Sequence, residues 1–255
     1  MQINIPELCA LARQGGQIAQ GLFRRATARR KADHSYVTEA DEQVEQLLVE
    51  QLRQRYPTIG IIGEESARHN TSNEYIWAID PIDGTASFVA GLPVWGISIG
   101  LLHHGIPLLG VFYMPISDEL YWNESATQAF FNGEPIRVRE ANAWDSQDWI
   151  TVPSNSHRRY QIDFPGKARS MGSSVADLCY VARGGSVAAL LSRCAIWDLA
   201  AGLAIAYAAG ADSISLSGQH PDLPQMAQTG STLLEPLIIA NPEQLDQIRQ
   251  IIRQR

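Results

Sequence analysis

Two aspartates, Asp80 and Asp83, stand three residues apart at the end of an apolar run in the chain. The run 75–79 predicts a buried strand. Pro81 cannot continue a central strand and Gly84 permits backbone conformations that other residues resist, so we expect a turn carrying both aspartates. Asp, Pro and Gly are also the commonest turn residues for reasons unrelated to function. Acidic side chains at the end of a strand nevertheless suit a hard divalent cation.

Acids also stand at the ends of two other predicted elements. The apolar run 59–62 is followed by Glu64 and Glu65, which again places carboxylates after a strand. Asp198 precedes the segment 199–209, which has no charged residue and predicts a buried helix. Asp is a favoured helix N-cap, so capping is an alternative to metal binding, and the two roles are compatible. An ionised carboxylate at a buried helix start is costly unless it is paired or metal-bound.

Positive charge is scarce around these acids in the sequence. Between Pro57 and Leu102 the only Lys or Arg is Arg68. If the carboxylates converge they repel one another, and divalent ions would hold them ionised. A carboxylate shared by two such ions is the arrangement that supports in-line phosphoryl displacement. The stretch 85–89 can begin a short helix whose free N–H groups bind phosphate oxygens. The implied chemistry is hydrolysis of a phosphomonoester.

Four motifs in the chain are together highly specific, namely Val37-Thr38-Glu39-Ala40-Asp41, Gly63-Glu64-Glu65-Ser66, Asp80-Pro81-Ile82-Asp83-Gly84-Thr85 and Trp197-Asp198-Leu199-Ala200-Ala201-Gly202. In order and spacing the chain resembles the inositol monophosphatase family of magnesium-dependent, lithium-sensitive sugar and polyol phosphatases, over nearly its whole length. The resemblance implies an α/β fold, a layered α-β-α-β-α sandwich, and a homodimer. It also implies hydrolysis of a small phosphomonoester of a polyol or sugar by a metal-activated water.

Carried over residue by residue, the resemblance implies a site for two or three Mg²⁺ ions. One ion would have Glu64, Asp80 and the backbone carbonyl of Ile82 as ligands. A second would be held by Asp80, Asp83 and Asp198. Asp80 would then be the carboxylate that the two ions share.

The resemblance also implies catalytic and substrate-binding residues. Glu64 would be catalytic, and Thr85 and Asp41 would help to orient the attacking water. The amides of Gly84 and Thr85 would bind the phosphate. The remaining expected substrate contacts lie in the metal-ligand set and in one later segment: Asp83, Asp198, Gly172, Ser173 and Ser174.

Two features near these motifs have a structural interpretation as well. Thr38 and Asp41 have the spacing of a capping-box variant at the start of a helix, which is compatible with a catalytic role for Asp41. The basic run 29–31 is typical of a solvated face. In the family that the chain resembles, the corresponding loop approaches the active site, so a phosphate-facing role is the alternative.

One departure from the family pattern concerns the substrate. Leu191 lies seven residues before Asp198, where inositol-specific members carry a glutamate that contacts the ring hydroxyls. Leucine cannot accept those hydrogen bonds, so we expect weak inositol recognition and broad selectivity. A phosphatase of the same fold acting on fructose bisphosphate or a nucleotide bisphosphate is the nearest alternative, with Arg193, Arg158 and Arg159 as candidates for holding a second phosphate. A non-catalytic regulatory protein on this fold is an alternative of another class.

Composition narrows the remaining possibilities. The chain has 255 residues, 45% hydrophobic and 18% charged, which is enough for a large core. A formal charge of −7 argues against nucleic acid as the main partner. The lack of a run of about eighteen apolar residues argues against a membrane span and favours a cytoplasmic location. Cys9, Cys179 and Cys194 have neither zinc-site nor disulfide spacing. The adjacent His103 and His104 lack the helical spacing of a metal pair, which argues against a ligand role.

The elements that must position these residues alternate between strand and helix in the second half of the chain, which indicates α/β layering. A polar stretch, 140–147, suggests two subdomains, 1–143 with most metal ligands and 144–255 with Asp198 and substrate contacts. The predicted helices are 6–25, 38–55, 173–182, 199–209 and 242–253. The predicted strands after residue 80 are 94–102, 108–114, 119–122, 129–131, 149–152, 168–171, 187–191 and 233–240, with 217–230 as a loop.

Overall fold

A computed structural model describes residues 3–32, 34–65 and 67–255, so Ser66 of the second motif lies outside the described residues. Within those ranges the chain forms the following helices: α1 (Ile5–Leu22), α2 (Glu39–Arg55), α3 (Thr85–Val89), α4 (Ser156–Arg159), α5 (Ser174–Ala182), α6 (Ala200–Ala208), α7 (Leu223–Thr229) and α8 (Leu245–Gln250), with a 3₁₀ turn at Pro242–Gln244. Each of these helices is too short or too polar to cross a bilayer.

The strands divide between two sheets and two short ribbons. One ribbon pairs β1 (Ala28–Arg30) with β2 (Tyr36–Thr38). The large sheet contains β3 (Gly60–Gly63), β4 (Arg68–His69), β5 (Tyr75–Asp83), β6 (Gly96–His103), β7 (Ile106–Met114), β8 (Glu119–Ser125), β9 (Gln128–Phe131) and β10 (Glu134–Ile136). The small sheet contains β11 (Trp149–Thr151), β13 (Lys167–Arg169), β14 (Ala188–Leu191), β15 (Asp212–Ser215) and β16 (Leu237–Ala240). The second ribbon pairs β12 (Tyr160–Ile162) with β17 (Ile252–Gln254).

The layers stack in the order helix, sheet, helix, sheet, helix. Helices α1 and α2 cover one face of the large sheet, and α5 and α6 cover the other. Helix α5 also contacts β14 and β16 of the small sheet, whose far side packs against α8. The fold is therefore the predicted α-β-α-β-α sandwich.

Strand β5 runs through the middle of this arrangement and is buried from Ile76 to Asp83. Its side chains alternate between two apolar cores: Trp77 and Ile79 face α1 and α2, whereas Ile76 and Ala78 face α5 and α6. We expected the strand to end at residue 79. Instead the chain stays extended to Asp83, and the pairing with β6 shifts register between Asp80 and Asp83, which accommodates the proline.

Helix α6 lies unusually close to the large sheet because two glycines face it. A Cβ on Gly110 would stand 2.2 Å from the carbonyl oxygen of Ala201, and one on Gly100 would stand 2.6 Å from the Cβ of Ala200. Any side chain at these positions would push the helix away. The glycines therefore fix the start of α6, and with it Asp198, over β6 and β7.

Several local predictions were wrong. The stretch 217–230 contains α7, whose start has the usual signals: Asp222 accepts a hydrogen bond from Gln225 N at 3.0 Å, and a proline lies in the first turn. The predicted C-terminal helix breaks into the 3₁₀ turn, α8 and β17. The sequence analysis did not anticipate the β1–β2 ribbon. The division at residues 143 and 144 falls between the two sheets and stays a prediction.

Candidate active site

The site forms where two neighbouring strands end at the same edge of the large sheet. Strands β3 and β5 are parallel, with Gly63 paired to Ile79. Glu64, which follows β3, therefore lies beside Asp80 of β5, and Glu64 N donates a hydrogen bond to Ile79 O at 3.2 Å. Asp80 is buried, and its Oδ1 accepts a hydrogen bond from Ile82 N at 2.9 Å. The strand pairing thus brings two of the predicted metal ligands together.

Asp198 reaches the same site from the segment before α6. Its Oδ2 accepts a hydrogen bond from Ala195 N at 2.7 Å, which closes the turn ahead of the helix. The N-cap position of α6 is Leu199, and no side chain caps the helix there. The capping role that the sequence suggested for Asp198 is therefore absent, and the carboxylate is held by its own preceding turn.

Asp83 is held by the N-terminus of α5. Ser173 Oγ donates a short hydrogen bond to Asp83 Oδ2, Ser174 N donates to Oδ1 at 3.2 Å, and Val175 N donates to Oδ2 at 3.0 Å. The positive end of a helix dipole favours a carboxylate in this position. These contacts bring the predicted substrate segment 172–174 against a predicted metal ligand.

The four acids interact strongly with one another. Burial raises the pKa of Asp80 well above its usual range, and the charges of Glu64, Asp83 and Asp198 raise it further. Burial likewise raises the pKa of Asp198 well above its usual range, with Glu64 and Asp83 adding to the effect. The pKa of Asp83 rises to about 6 through burial, in spite of its three donors, which lower it. Divalent cations would remove this cost by holding the carboxylates ionised.

The donor set fits magnesium. Mg²⁺ takes oxygen ligands, and the site offers four carboxylates and a backbone carbonyl. The carbonyl oxygen of Ile82 lies 3.0 Å from Thr85 Oγ1, and a carbonyl has a second lone pair for a further partner. The oxygen donors at this edge of the sheet are therefore of the kind that Mg²⁺ takes.

Lys31, from the basic run 29–31, lies beside the acids, in line with the alternative that this loop approaches the active site. Its Nζ lies 2.8 Å from Glu64 Oε1 and 2.6 Å from Glu65 Oε1. The expectation that these acids lack nearby cations was thus wrong, because the cation comes from a distant part of the sequence, next to β1. Burial raises the pKa of Glu65 to about 7, and Lys31 opposes the rise. The basic run 29–31 was the only signal in the sequence.

Thr85 and Asp41 meet beside the acids. Thr85 Oγ1 lies 3.1 Å from Asp41 Oδ1, and both residues are buried. The other oxygen of Asp41 accepts hydrogen bonds from Thr38 N at 2.8 Å and Thr38 Oγ1 at 2.5 Å. The predicted capping box at the start of α2 is therefore confirmed. The same carboxylate contacts both the helix cap and the candidate catalytic threonine.

Gly84 joins β5 to α3 at a position that excludes other residues. Its φ of +95° lies in the left-handed region that glycine tolerates. A Cβ there would also stand 2.9 Å from Gly172 O and 3.2 Å from the Cβ of Ser173. The close approach of the two segments that hold the predicted phosphate and substrate contacts therefore depends on glycine at this position.

A cavity of about 200 Å³ opens beside the segment 172–174. Its wall includes Leu191 at the end of β14, and Asp177, a buried acid on α5 that the sequence analysis did not single out. Burial raises the pKa of Asp177 well above its usual range, and the charge of Asp83 adds to the shift. The cavity adjoins the acid site at Ser173, which lines the cavity and donates a hydrogen bond to Asp83.

Two arginines proposed for a second phosphate lie elsewhere. Arg158 and Arg159 line a different cavity, of about 230 Å³, with Tyr160 and the C-terminal residues Gln254 and Arg255. That cavity shares no lining residue with the one beside Ser173. Its position beside the β12–β17 ribbon does not favour a role in substrate binding at the acid site.

Comparison with known proteins agrees with this geometry. The model of the inositol monophosphatase family matches residues 4–254. Inositol monophosphatase 1 of Solanum lycopersicum is 32% identical over 249 residues, covering 91% of each chain. The fructose-1,6-bisphosphatase/inositol-1-monophosphatase of Aquifex aeolicus is 29% identical over 221 residues, covering 82% of this chain and 83% of the relative. A solved structure, the IMPase of Thermotoga maritima, superposes with a TM-score of 0.84 at 28% identity, covering 97% of this chain and 95% of that one. The chain belongs to the inositol monophosphatase family and is a phosphoric monoester hydrolase.

Proposed function

We propose that this phosphatase hydrolyses a small phosphomonoester of a polyol or sugar, with Mg²⁺ as its cofactor. The observation that carries the proposal is the convergence of Glu64, Asp80, Asp83 and Asp198, from three separate segments, on one buried edge of the large sheet. A binding protein has no physical need for carboxylates gathered at this cost. This argues against the non-catalytic regulatory alternative.

The metal ligands in this proposal are Glu64, Asp80, the carbonyl of Ile82, Asp83 and Asp198. Magnesium bound there would supply positive charge against the phosphate and acidify a bound water. The chain's own contribution is rigidity. The three hydrogen bonds from α5 to Asp83, and the bond from Ala195 N to Asp198, fix these carboxylates before any ligand arrives.

Thr85 and Asp41 would orient the attacking water. The hydroxyl of Thr85 has one proton, which it can donate to Asp41 or to the carbonyl of Ile82. The lone pairs of its oxygen remain available to accept a hydrogen bond from a water. Since Asp41 is fixed by the capping box, its carboxylate gives the Thr85 side chain a fixed partner. This arrangement supports a positioning role for both residues.

The alcohol part of the substrate would enter the cavity beside the segment 172–174. Its volume of about 200 Å³ suits a small polyol or sugar. Leu191 presents an apolar surface at the position where inositol-specific relatives carry a glutamate, so a hydroxyl there has no charged partner. Broad selectivity among small phosphate esters follows.

Fructose 1,6-bisphosphate is the second candidate substrate. The name of the Aquifex aeolicus relative, which includes both activities, favours it. The position of Arg158 and Arg159 gives it no support, because both line a separate cavity and neither lines the one beside Ser173. A homodimer and a cytoplasmic location are part of the proposal, and light scattering of the purified protein tests the first.

The deciding experiment is a phosphate-release assay on chelator-treated protein, with and without added Mg²⁺. Inositol 1-phosphate, fructose 1,6-bisphosphate and glycerol 2-phosphate serve as substrates. We expect phosphatase activity only with Mg²⁺, and we expect Li⁺ to inhibit it. The activity should be lost in Asp80→Asn and retained in Asp118→Asn. Asp118 is a matched control because its carboxylate is exposed and paired with Arg13. Full activity without metal would refute the proposal.

A further inference from the structure

Three potential metal ligands meet at the opposite end of β5 from the active site. Glu74 Oε1 lies 2.6 Å from His103 Nε2 and 3.5 Å from His104 Nε2. One potential ligand atom from each of the three residues lies within 4.8 Å of those of the other two. The group lies at the surface, at the turn between β6 and β7.

The backbone explains why Glu74 joins the histidines. Strands β5 and β6 are antiparallel, with Tyr75 paired to His103. Glu74 therefore faces the turn, and its carbonyl accepts a hydrogen bond from His104 N at 2.8 Å. The ring of Tyr75 stacks on that of His103, with centroids 4.5 Å apart and an interplanar angle of 15°. The backbone of Glu74 and the first imidazole are thus held by the sheet.

The turn brings the second imidazole to the same side. The sequence argued against a ligand role because adjacent histidines lack the helical spacing of a metal pair. Consecutive residues of a strand point to opposite faces, so only a turn could bring the two rings together. In the structure His104 has φ +50° and Gly105 has φ +79°, the two positive values of a type I′ hairpin turn. The rings of His103 and His104 consequently lie with centroids 4.5 Å apart. The turn therefore brings the two adjacent imidazoles together, as helical spacing does in other paired-histidine metal sites.

We propose that Glu74, His103 and His104 bind a divalent transition-metal ion such as Zn²⁺. Two imidazoles and one carboxylate form a ligand set that zinc sites use, and imidazole favours Zn²⁺, Cu²⁺ or Ni²⁺ over Mg²⁺. Ligand atoms about 2.0–2.1 Å from a tetrahedral ion stand about 3.3 Å from one another. The observed separations of 2.6 and 3.5 Å lie on either side of that value. Small side-chain rotations are enough to form the site, and solvent supplies the fourth ligand.

This site is separate from the acid site. Glu74 precedes Asp80 by six residues of extended chain, which at about 3.3 Å per residue is roughly 20 Å. An ion here would tie the start of β5 to the tip of the β6–β7 hairpin and stabilise the native state. The inference does not depend on the proposed function.

Zinc titration calorimetry in excess Mg²⁺ tests the proposal. We expect the wild-type protein to bind one Zn²⁺ per chain at this site. Each of the variants His104→Asn, His103→Phe and Glu74→Gln should lower the affinity at least tenfold. Asparagine tolerates the left-handed turn conformation, and phenylalanine preserves the ring on Tyr75, so these variants should fold. Thermal denaturation with Zn²⁺ gives a second measurement: the ion should raise Tm in the wild type and not in His104→Asn.

The controls separate this site from other zinc binding. His220 Nδ1 lies 3.9 Å from Asp212 Oδ1, an acid–histidine pair without a second imidazole, so His220→Asn should leave the affinity unchanged. Zinc that enters the acid site is lost in Asp80→Asn, whereas zinc at the histidine site is retained. Equal affinity in His104→Asn and wild type would overturn the proposal, as would an equal loss in His220→Asn. Phosphatase activity in Mg²⁺ should be the same in the three ligand variants as in the wild type.

Discussion

The hydroxyl of Thr85 lies 3.1 Å from a carboxylate oxygen of Asp41, which stands 44 positions earlier in the chain. Asp41 uses its other oxygen to complete the capping box with Thr38. One side chain therefore connects the start of α2 to the start of α3, directly beside the acids. A helix cap is rigid because its geometry is fixed by backbone hydrogen bonds, and this rigidity is transmitted to Thr85.

Substitutions at Thr85 and Thr38 separate catalysis from capping. Thr85→Val removes the hydroxyl that would orient the water, so we expect kcat to fall about 100-fold with KM little changed. Thr85→Ser should recover most of the activity. Thr38→Ala should instead lower the free energy of unfolding by about 1 kcal/mol and retain most of the activity, because the backbone N–H of residue 38 still holds Asp41. Steady-state kinetics and urea denaturation measure both effects. Thr85→Val with wild-type kcat would remove Thr85 from the mechanism.

Neutralising the buried acids should affect activity and stability in opposite directions. Asp80→Asn and Asp83→Asn each remove a charge that the metal site needs, so we expect turnover to fall by several orders of magnitude. In chelator-treated protein, Asp80→Asn should raise Tm, because it removes the repulsion of residue 80 by Glu64, Asp83 and Asp198. Phosphate release and thermal denaturation provide the two measurements. Near-normal turnover of either variant at saturating Mg²⁺ would show that the ligand is misassigned.

Sequence patterns predicted the parts of the site that depend on local chemistry. The apolar run 75–79 identified β5, and the spacing of Thr38 and Asp41 identified the cap of α2. The contact between Lys31 and Glu64 could not be predicted in this way, because it joins distant segments through a ribbon with no strong strand signal. Electrostatic partners need only be close in space, whereas sequence windows report neighbours along the chain.

Turn conformation limited the prediction in a similar way. The strand pattern correctly indicated β6 and β7, yet the meeting of His103 with His104 depends on a left-handed backbone at the second residue. Likewise, Asp198 is of a residue type that commonly caps helices, but its carboxylate accepts a hydrogen bond from Ala195 N and closes the preceding turn. A backbone angle decided the first outcome and a turn hydrogen bond the second, and residue composition determines neither uniquely.

The pH dependence of stability should differ between metal-free and metal-loaded protein. Burial raises the pKa of Glu65 from 4.5 to about 7 and that of Asp83 from 3.8 to about 6. A carboxyl with a raised native pKa favours the folded state at low pH, and that stability is lost as pH rises from the unfolded to the folded value. We therefore expect these two groups to make chelator-treated protein less stable at pH 8 than at pH 5.

Urea denaturation at both pH values, with chelator or with Mg²⁺, measures this effect. Mg²⁺ should remove most of the loss at pH 8, because cations hold the ionised carboxylates. Glu65→Gln should reduce the difference between the two pH values in metal-free protein. Glu39→Gln is the matched control, since Glu39 is exposed in the first turn of α2. An identical pH dependence in wild type and Glu65→Gln would contradict the assignment.

Leu191 provides a test of substrate selection. It is 3% exposed, ends β14 and lines the cavity beside Ser173 and Ser174. A hydrogen bond to a charged group contributes about 1.5–3 kcal/mol, so its absence corresponds to roughly ten- to a hundred-fold in specificity. We expect wild-type kcat/KM to be similar for inositol 1-phosphate, fructose 1,6-bisphosphate and glycerol 2-phosphate. Leu191→Glu should shift the preference towards inositol 1-phosphate, whereas Leu191→Met, which conserves volume, should leave it unchanged.

Because a buried glutamate is costly, circular dichroism must first establish that Leu191→Glu is folded. A strong wild-type preference for inositol 1-phosphate would refute the argument, since an apolar side chain offers its hydroxyls no partner.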